Sequence, residues 1–479
     1  MISIIDPSGR NRCSGFNRRQ FLRVGSLGCA GLTVPSMITD LTAARQPSFV
    51  RDKSVVFLFL QGGPPQIEMF NPMMQAASDI RSCTGEVATT IPGVTLGGTF
   101  PKLAARADRV AIIRSYASGT GAHEDLHSLT GNSPFQSSMG AQYARLAGPL
   151  RSHSAMPTHS VILPEQIQPE LKLGQPSSVF SHSFIRQHYP APGDLGASYR
   201  GLFLDGSKGF LGDMELKLPS RRFEDRRLLL SQLDSLKEKL SRTRDLTGSL
   251  AVESQAYEVL IKGIADAFDL SKENPETIDR YDTSGFFRME DWHRGGKHYN
   301  GLMNQSRITN LLGKQMLLAR RLCEAGCGFV TVVDCCWDFH GDSNNPPTPT
   351  GMSLLGHQAD HAISAFLDDV EQRGLSDKIL LVVTAEIGRT PKKEANGGTG
   401  HWSQLTPLLL AGGGLNMGQV VGSTDRYGGK PSTRPYGPEH LRTTIMQTLF
   451  DPSEARLVPE LPREILHAIT ESDSIQELI

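Results

Sequence analysis

The feature that most constrains this chain is a set of short, continuous apolar runs, each halted by glycine, proline or a polar cluster. Ser54 to Leu60 reads SVVFLFL and stops at Gln61-Gly62-Gly63-Pro64-Pro65. Val110 to Ile113, Phe329 to Val333 (FVTVV), Ile379 to Thr384 (ILLVVT) and Leu405 to Leu410 repeat the pattern. A run that is apolar at successive positions, instead of at alternate ones, suits a strand buried on both faces, and such strands belong to parallel sheets covered by helices. Between two of these runs, Gly356 to Arg373 carries Ala362, Phe366, Leu367 and Val370 at helical spacing. Strand, helix and strand in this order predict an α/β fold with a doubly wound, mostly parallel sheet. Its ligands are expected at the carboxyl ends of the strands.

The middle third has another texture. Arg222 to Asp269 is rich in Leu, Lys, Glu and Arg, with Leu229, Leu233, Leu236 and Leu240 in register, and predicts a helical insertion over about 222–275. The 479 residues carry 49 Lys and Arg against 50 Asp and Glu, a balance that lacks the cationic surplus a nucleic-acid surface needs. No stretch suits a membrane span. At the N-terminus, Asn17-Arg18-Arg19-Gln20-Phe21-Leu22 precedes a weakly apolar run and the small residues Thr42-Ala43-Ala44. That is the layout of a twin-arginine export signal over 1–44, and it predicts passage through the twin-arginine translocation machinery to the periplasm or beyond. Of the seven cysteines, Cys13 and Cys29 would leave with the signal. Cys323 and Cys327 share a helical face and are expected as a single bridge or a buried thiol pair.

Chemistry-bearing residues collect where the apolar runs end. After FVTVV come Asp338 and His340 in WDFHGD; after ILLVVT come Glu386 and Arg389 in AEIGRTP; a glycine-rich turn then supplies His401 in GGTGHW. Asp, His, Glu and His at neighbouring strand ends can converge on one point, as mixed oxygen and nitrogen sites for divalent ions do. The alternative is that each is an ordinary loop residue.

The segments GGPPQIEMFNP, LLARRLCEAGCGFVTV, WDFHGD, AEIGRTPKKEANGG and GTGHW together resemble the bacterial family known as domain of unknown function 1501, from about Ser54 to Phe450. That family is grouped with the alkaline phosphatase-like, or sulfatase-like, superfamily. The resemblance implies a sheet between helices, with one or two divalent ions at the strand ends that polarise a phosphate or sulfate oxygen. It implies zinc, manganese or calcium, held by Asp338, His340, Glu386 and His401, with Arg389 as a guanidinium clamp for an anionic oxygen. Three features depart from the superfamily's pattern. Gln61 follows the first strand where a metal-binding acid is expected, with Glu68 as the acid further along. Glu386 stands alone where an Asp-His pair is usual. No Cys-x-Pro-x-Arg sequence exists to supply a formylglycine nucleophile.

A nucleophile is expected after the second run, in Ser115-Tyr116-Ala117-Ser118-Gly119-Thr120-Gly121. Ser118 and Thr120 offer hydroxyls in a turn that leads to a helix, where backbone N–H groups favour an anion. His123 and His127 at i, i+4 would share one face of that helix and bind metal or relay a proton. The alternative is N-capping by the hydroxyls and two surface histidines. His357 and His361 have the same spacing at the edge of an amphipathic helix. Three readings follow: an exported metal-dependent hydrolase acting on a small-molecule or glycan ester of phosphate or sulfate; a catalytically degenerate relative that binds an anionic glycan or partner protein; and an assembly partner that docks through the 222–269 helices.

Overall fold

The computed structural model describes residues 47–151, 154–168, 185, 187–203, 264–286, 309–342, 345–458, 461, 463–470 and 473–479. The export signal expected over 1–44, and the expected helical insertion up to residue 263, lie outside the described residues. The end of that insertion is a short helix, Ala265–Phe268, and the start of another, Pro275–Arg280.

Twelve strands are described in chain order: β1 Ser54–Leu60, β2 Glu86–Ala88, β3 Thr95–Gly97, β4 Val110–Ile113, β5 His159–Ile162, β6 Leu202–Phe203, β7 Phe329–Asp334, β8 Ile379–Thr384, β9 Gly388–Arg389, β10 His401–Trp402, β11 Leu409–Gly412 and β12 Gln419–Val421. Eight of them form one sheet in the order β12-β4-β11-β8-β1-β7-β5-β6. β1 lies at its centre, parallel to β7 on one side and to β8 on the other, with Leu60 opposite Asp334 and Phe59 opposite Thr384. β11 alone runs against its neighbours β8 and β4. The fold is therefore α/β with a mixed, mostly parallel sheet.

Every residue of β1, β7 and β8 is buried. Full burial of consecutive residues requires cover on both faces, since successive side chains point to opposite sides. At roughly 25 cal/mol per Å² of apolar surface removed from water, each fully buried Val, Leu or Phe contributes about 1.5–3 kcal/mol. Helix Leu312–Glu324 packs against β7 and β1 and against helix His357–Gln372, and helices Met139–Ala147 and Pro438–Leu449 reach the same central strands. The first two helices are also joined through Asp369, which accepts from Arg320 Nε at 2.9 Å, Arg373 Nε at 2.8 Å and the Tyr281 hydroxyl at 2.9 Å. Removing one partner of such a buried network leaves an uncompensated charge.

Four of the apolar runs become strands at the expected places. The run Leu405 to Leu410 does so only from Leu409, because Pro407 lacks the N–H that a ladder needs, and its direction is opposite to the rest. Cys83, Cys323, Cys327, Cys335 and Cys336 are free thiols, so the expected Cys323 and Cys327 pair is the buried-thiol alternative. Cys327 Sγ lies 3.5 Å from Ser160 Oγ.

Candidate metal centre

β1, β7 and β8 end side by side, and their exit loops are fastened to one another. Trp337 N–H donates to the Gln61 carbonyl at 3.0 Å, and Trp337 Nε1 donates to Asp334 Oδ2 at 2.8 Å, which aims the following Asp338 inward. Gly62 adopts φ +121, and a Cβ there would stand 2.7 Å from Trp337 N, so only glycine permits this approach. After β8, Gly388–Arg389 pairs antiparallel with His401–Trp402, which sets His401 opposite Arg389. Gln66 fixes the Arg389 backbone from both sides, donating to its carbonyl at 2.7 Å and accepting from its N–H at 2.9 Å.

The result is a convergence of His123, Asp338, His340 and His401, one ligand atom of each lying within 4.8 Å of all the others. His340 Nε2 stands 2.9 Å from Asp338 Oδ1 and 3.0 Å from His401 Nε2. His123 Nε2 and His401 Nε2 stand 3.7 and 3.9 Å from the same Asp338 oxygen. Four ligands at zinc-like bond lengths would be separated by roughly 3.3 Å, in the middle of this range. The His340 and His401 side chains are 26% and 28% exposed against 6% for Asp338, so the cluster opens on its histidine side.

Proton positions follow from the partners. His401 Nδ1 faces the Gly121 carbonyl at 3.1 Å and must carry the hydrogen, which leaves Nε2 with its lone pair. Burial lowers the His401 pKa to about 4, so the ring is neutral near neutral pH. His340 Nε2 stands 2.9 Å from Asp338 Oδ1, 3.0 Å from His401 Nε2 and 3.2 Å from Arg389 Nη1, so its tautomer decides whether it donates to one of the first two or accepts from the guanidinium. In the tautomer that accepts from Arg389, two imidazole lone pairs face each other across 3.0 Å, an arrangement that a cation between them would relieve. His123 belongs to the same set. Its Nδ1 lies 2.7 Å from Glu386 Oε1, burial pushes its pKa down to about 4, and Nε2 points to the cluster.

Glu386 does not join the group of four. It sits fully buried behind His123, accepts Gly62 N–H at 2.8 Å on the same oxygen, and leaves Oε2 without a partner among the described residues. Burial raises its pKa to about 8. Carboxylate, imidazole and ligand atom stand in the sequence by which a metal-bound histidine is usually oriented. Asp338 has the opposite balance: burial would raise it, but the Arg389 guanidinium, His340 and His123 hold its carboxyl well below the usual range. Arg389 is 1% exposed. Its guanidinium donates to the carbonyls of Gly63, Gly62 and Thr399 and to Asp338 Oδ1, and its Nη1 also faces His340 Nε2.

The remaining candidates lie apart. The helix after β4 begins only at Asp125, so His123 precedes it, and the shared helical face expected of His123 and His127 does not form. His127 is exposed and pairs with Glu124 at 3.3 Å. Ser118 Oγ accepts from Thr406 at 3.0 Å, and Thr120 Oγ1 donates to Glu124 at 3.1 Å; neither is bonded to the cluster. Glu68 is bonded to Ser82, Cys83 and Thr84 instead. His361 Nε2 bonds the Arg280 carbonyl. Sequence reasoning missed Asp125, which is fully buried, receives Gln61 Nε2 at 2.6 Å and Tyr189 OH at 2.7 Å, and is raised to about 8 by burial and by Glu386. The place after β1 where an acid was expected holds Gln61, and an acid bonds it there from the first residue of the helix after β4. Asn345, which donates to Asp338 Oδ2 at 3.2 Å, was missed as well.

The family described as Protein of unknown function (DUF1501) matches residues 52–478, and the chain belongs to it. Among curated proteins the sequence has no match. Three solved structures are similar over most of their length. The PsFucS1 sulfatase from Pseudoalteromonas sp. has 11% identity and a TM-score of 0.32, over 89% of this chain and 71% of that one. Alkaline phosphatase from the Antarctic bacterium TAB5 has 12% identity and a TM-score of 0.29, over 79% and 95%. The phosphonate monoester hydrolase SpPMH from Silicibacter pomeroyi has 11% identity and a TM-score of 0.28, over 88% and 76%. The chemistry of this site therefore rests on its own residues.

Proposed function

We propose that this protein is an exported, metal-dependent hydrolase of phosphate or sulfate esters, with His123, Asp338, His340 and His401 as ligands to one divalent ion. The observation that carries it is the convergence of three imidazoles on one carboxylate, with a ligand atom of each of the four residues within 4.8 Å of all the others. Three imidazoles and one carboxylate suit zinc or a similar transition ion; manganese fits less well, and calcium, which takes six to eight oxygens, least. When bound, such an ion polarises an ester oxygen and lowers the pKa of an attacking hydroxyl or water.

The chain's own residues supply the rest. Glu386 holds the His123 tautomer and Gly121 holds that of His401. Arg389 neutralises Asp338 and fixes the Gly62-Gly63 turn. Of the two hydroxyls expected as nucleophile, Thr120 is our choice: it adjoins Gly121, whose carbonyl faces His401 Nδ1, and it donates to the Glu124 carboxylate. Export through the twin-arginine machinery rests on Arg18-Arg19 and the run after them. No described helix is long and apolar enough to cross a membrane.

The test is release of 4-nitrophenol from its phosphate and sulfate esters by metal-loaded wild type and by His340→Ala. Turnover confined to wild type is expected; metal bound with no turnover of either ester contradicts the proposal. A second reading, binding of an anionic glycan without catalysis, follows from Arg389, which is buried and donates to protein carbonyls and Asp338, and so offers no clamp for a reacting anionic oxygen. Under it, Glu386→Gln leaves glycan binding unchanged and there is no turnover to lose.

A further inference from the structure

An exposed turn tied to β10, the strand that carries His401, presents an aromatic ring and cations. Among the described residues Tyr427 is the one aromatic side chain with large exposure, at 50%. Such a ring costs apolar hydration and is ordinarily covered or used. It is not on a loose loop. Asp425 Oδ1 accepts the Tyr427 N–H at 3.1 Å and the Gly429 N–H at 2.8 Å, while Asp425 N–H donates to the Lys430 carbonyl at 2.9 Å. The Gly429 carbonyl in turn receives Trp402 Nε1 at 2.6 Å, and Trp402 follows the cluster residue His401 on β10. The Tyr427 platform is therefore anchored to the strand that carries one of the four converging side chains.

Its exposed charged side chains are cations, while its one carboxylate, Asp425, is taken up by the backbone of the turn. The Arg426 guanidinium lies 4.6 Å from the Tyr427 ring centroid and bonds the phenol oxygen, and the Lys430 side chain belongs to the same turn and is exposed. Lys392, three residues beyond Arg389, is 75% exposed but pairs with Asp79 at 3.4 Å, so the cations of the turn itself carry the charge. A rigid, half-exposed ring suits the C–H face of a sugar, and flanking cations suit acidic substituents on it.

We infer that Tyr427, Arg426 and Lys430 form a subsite for an anionic polysaccharide, which delivers an esterified sugar to the metal centre. This names the substrate class of the hydrolase reading and rests on it, but the binding itself needs no metal. A polyanion held by charge alone would ignore the ring, so the neutral substitution Tyr427→Ala separates recognition from mere attraction.

The experiment is affinity electrophoresis of the full chain through gels holding dextran sulfate, polygalacturonate or neutral dextran, for wild type, Tyr427→Ala, Arg426→Ser and His340→Ala. Wild type and His340→Ala should be retarded alike by one of the polyanions and not by dextran, and which polyanion retards them identifies sulfate or carboxylate as the recognised group. Tyr427→Ala and Arg426→Ser should each bind about tenfold more weakly, the equivalent of one stacking contact. Tyr427→Ala binding as well as wild type, or wild type passing every gel freely, overturns the subsite. Wild type retarded by a polyanion but empty of metal by elemental mass spectrometry would sink the hydrolase reading while leaving the subsite standing.

Discussion

Arg389 and Glu386 divide between them the task of keeping charge in a buried site. Asp338 is an ionised carboxylate with little water, and Arg389 is the cation that permits it. Truncation to Arg389→Met should cost the metal-free protein about 3–5 kcal/mol, because it leaves a buried charge unpaired. Urea denaturation checks this, and a cost under about 1 kcal/mol would show that Asp338 is neutral or solvated. Glu386 touches the cluster only through His123. Glu386→Gln should keep the metal stoichiometry and weaken affinity by about 10–100-fold, the usual effect of losing an orienting partner. A complete loss of the ion, read by competition with a chromogenic chelator, would make it a ligand instead.

At the scale of elements, the site is made by strand ends held in register and by one glycine. Gly62→Ala places a methyl group on the Trp337 backbone in a φ that L residues rarely adopt, and should lower both stability and metal affinity, read in thermal and metal titrations. His159 on β5 tests the packing of the same sheet away from the site. It is fully buried, both ring nitrogens lack partners among the described residues, and burial lowers its pKa to about 3. The unfolded chain binds a proton there below about pH 6.5 while the folded one does not until about pH 3, so stability falls as pH drops through that window. His159→Leu should flatten the acid limb by about 1.4 kcal/mol per pH unit between pH 6 and 4, measured as urea midpoints; an unchanged slope would mean the imidazole is hydrated. Much of this level is legible in sequence, since runs such as SVVFLFL are buried on both faces and announce it. The reversal of β11 is not, because an apolar run carries no direction. Nor is the place of His123 legible: i, i+4 spacing matters only inside a helix, and the helix starts two residues later. Asp125 joins Gln61 from a distance of 64 residues, a pairing that only the sheet order creates.

For the whole molecule, the converging side chains come from segments far apart in the chain: the loop after β4, the loop after β7, and β10. An ion bound by all of them would fasten the flanks of the central sheet together. At a free concentration near a thousand times its dissociation constant it should add about 4 kcal/mol of stability. A chelator should accordingly lower the melting temperature of wild type and leave that of His340→Ala unmoved. The central claim is that these four side chains hold a divalent ion, and elemental mass spectrometry of the purified chain beside His340→Ala measures it most directly. One tightly held divalent ion per wild-type chain and none in the variant is the predicted result. A wild type that stays empty after incubation with zinc and with manganese would contradict it.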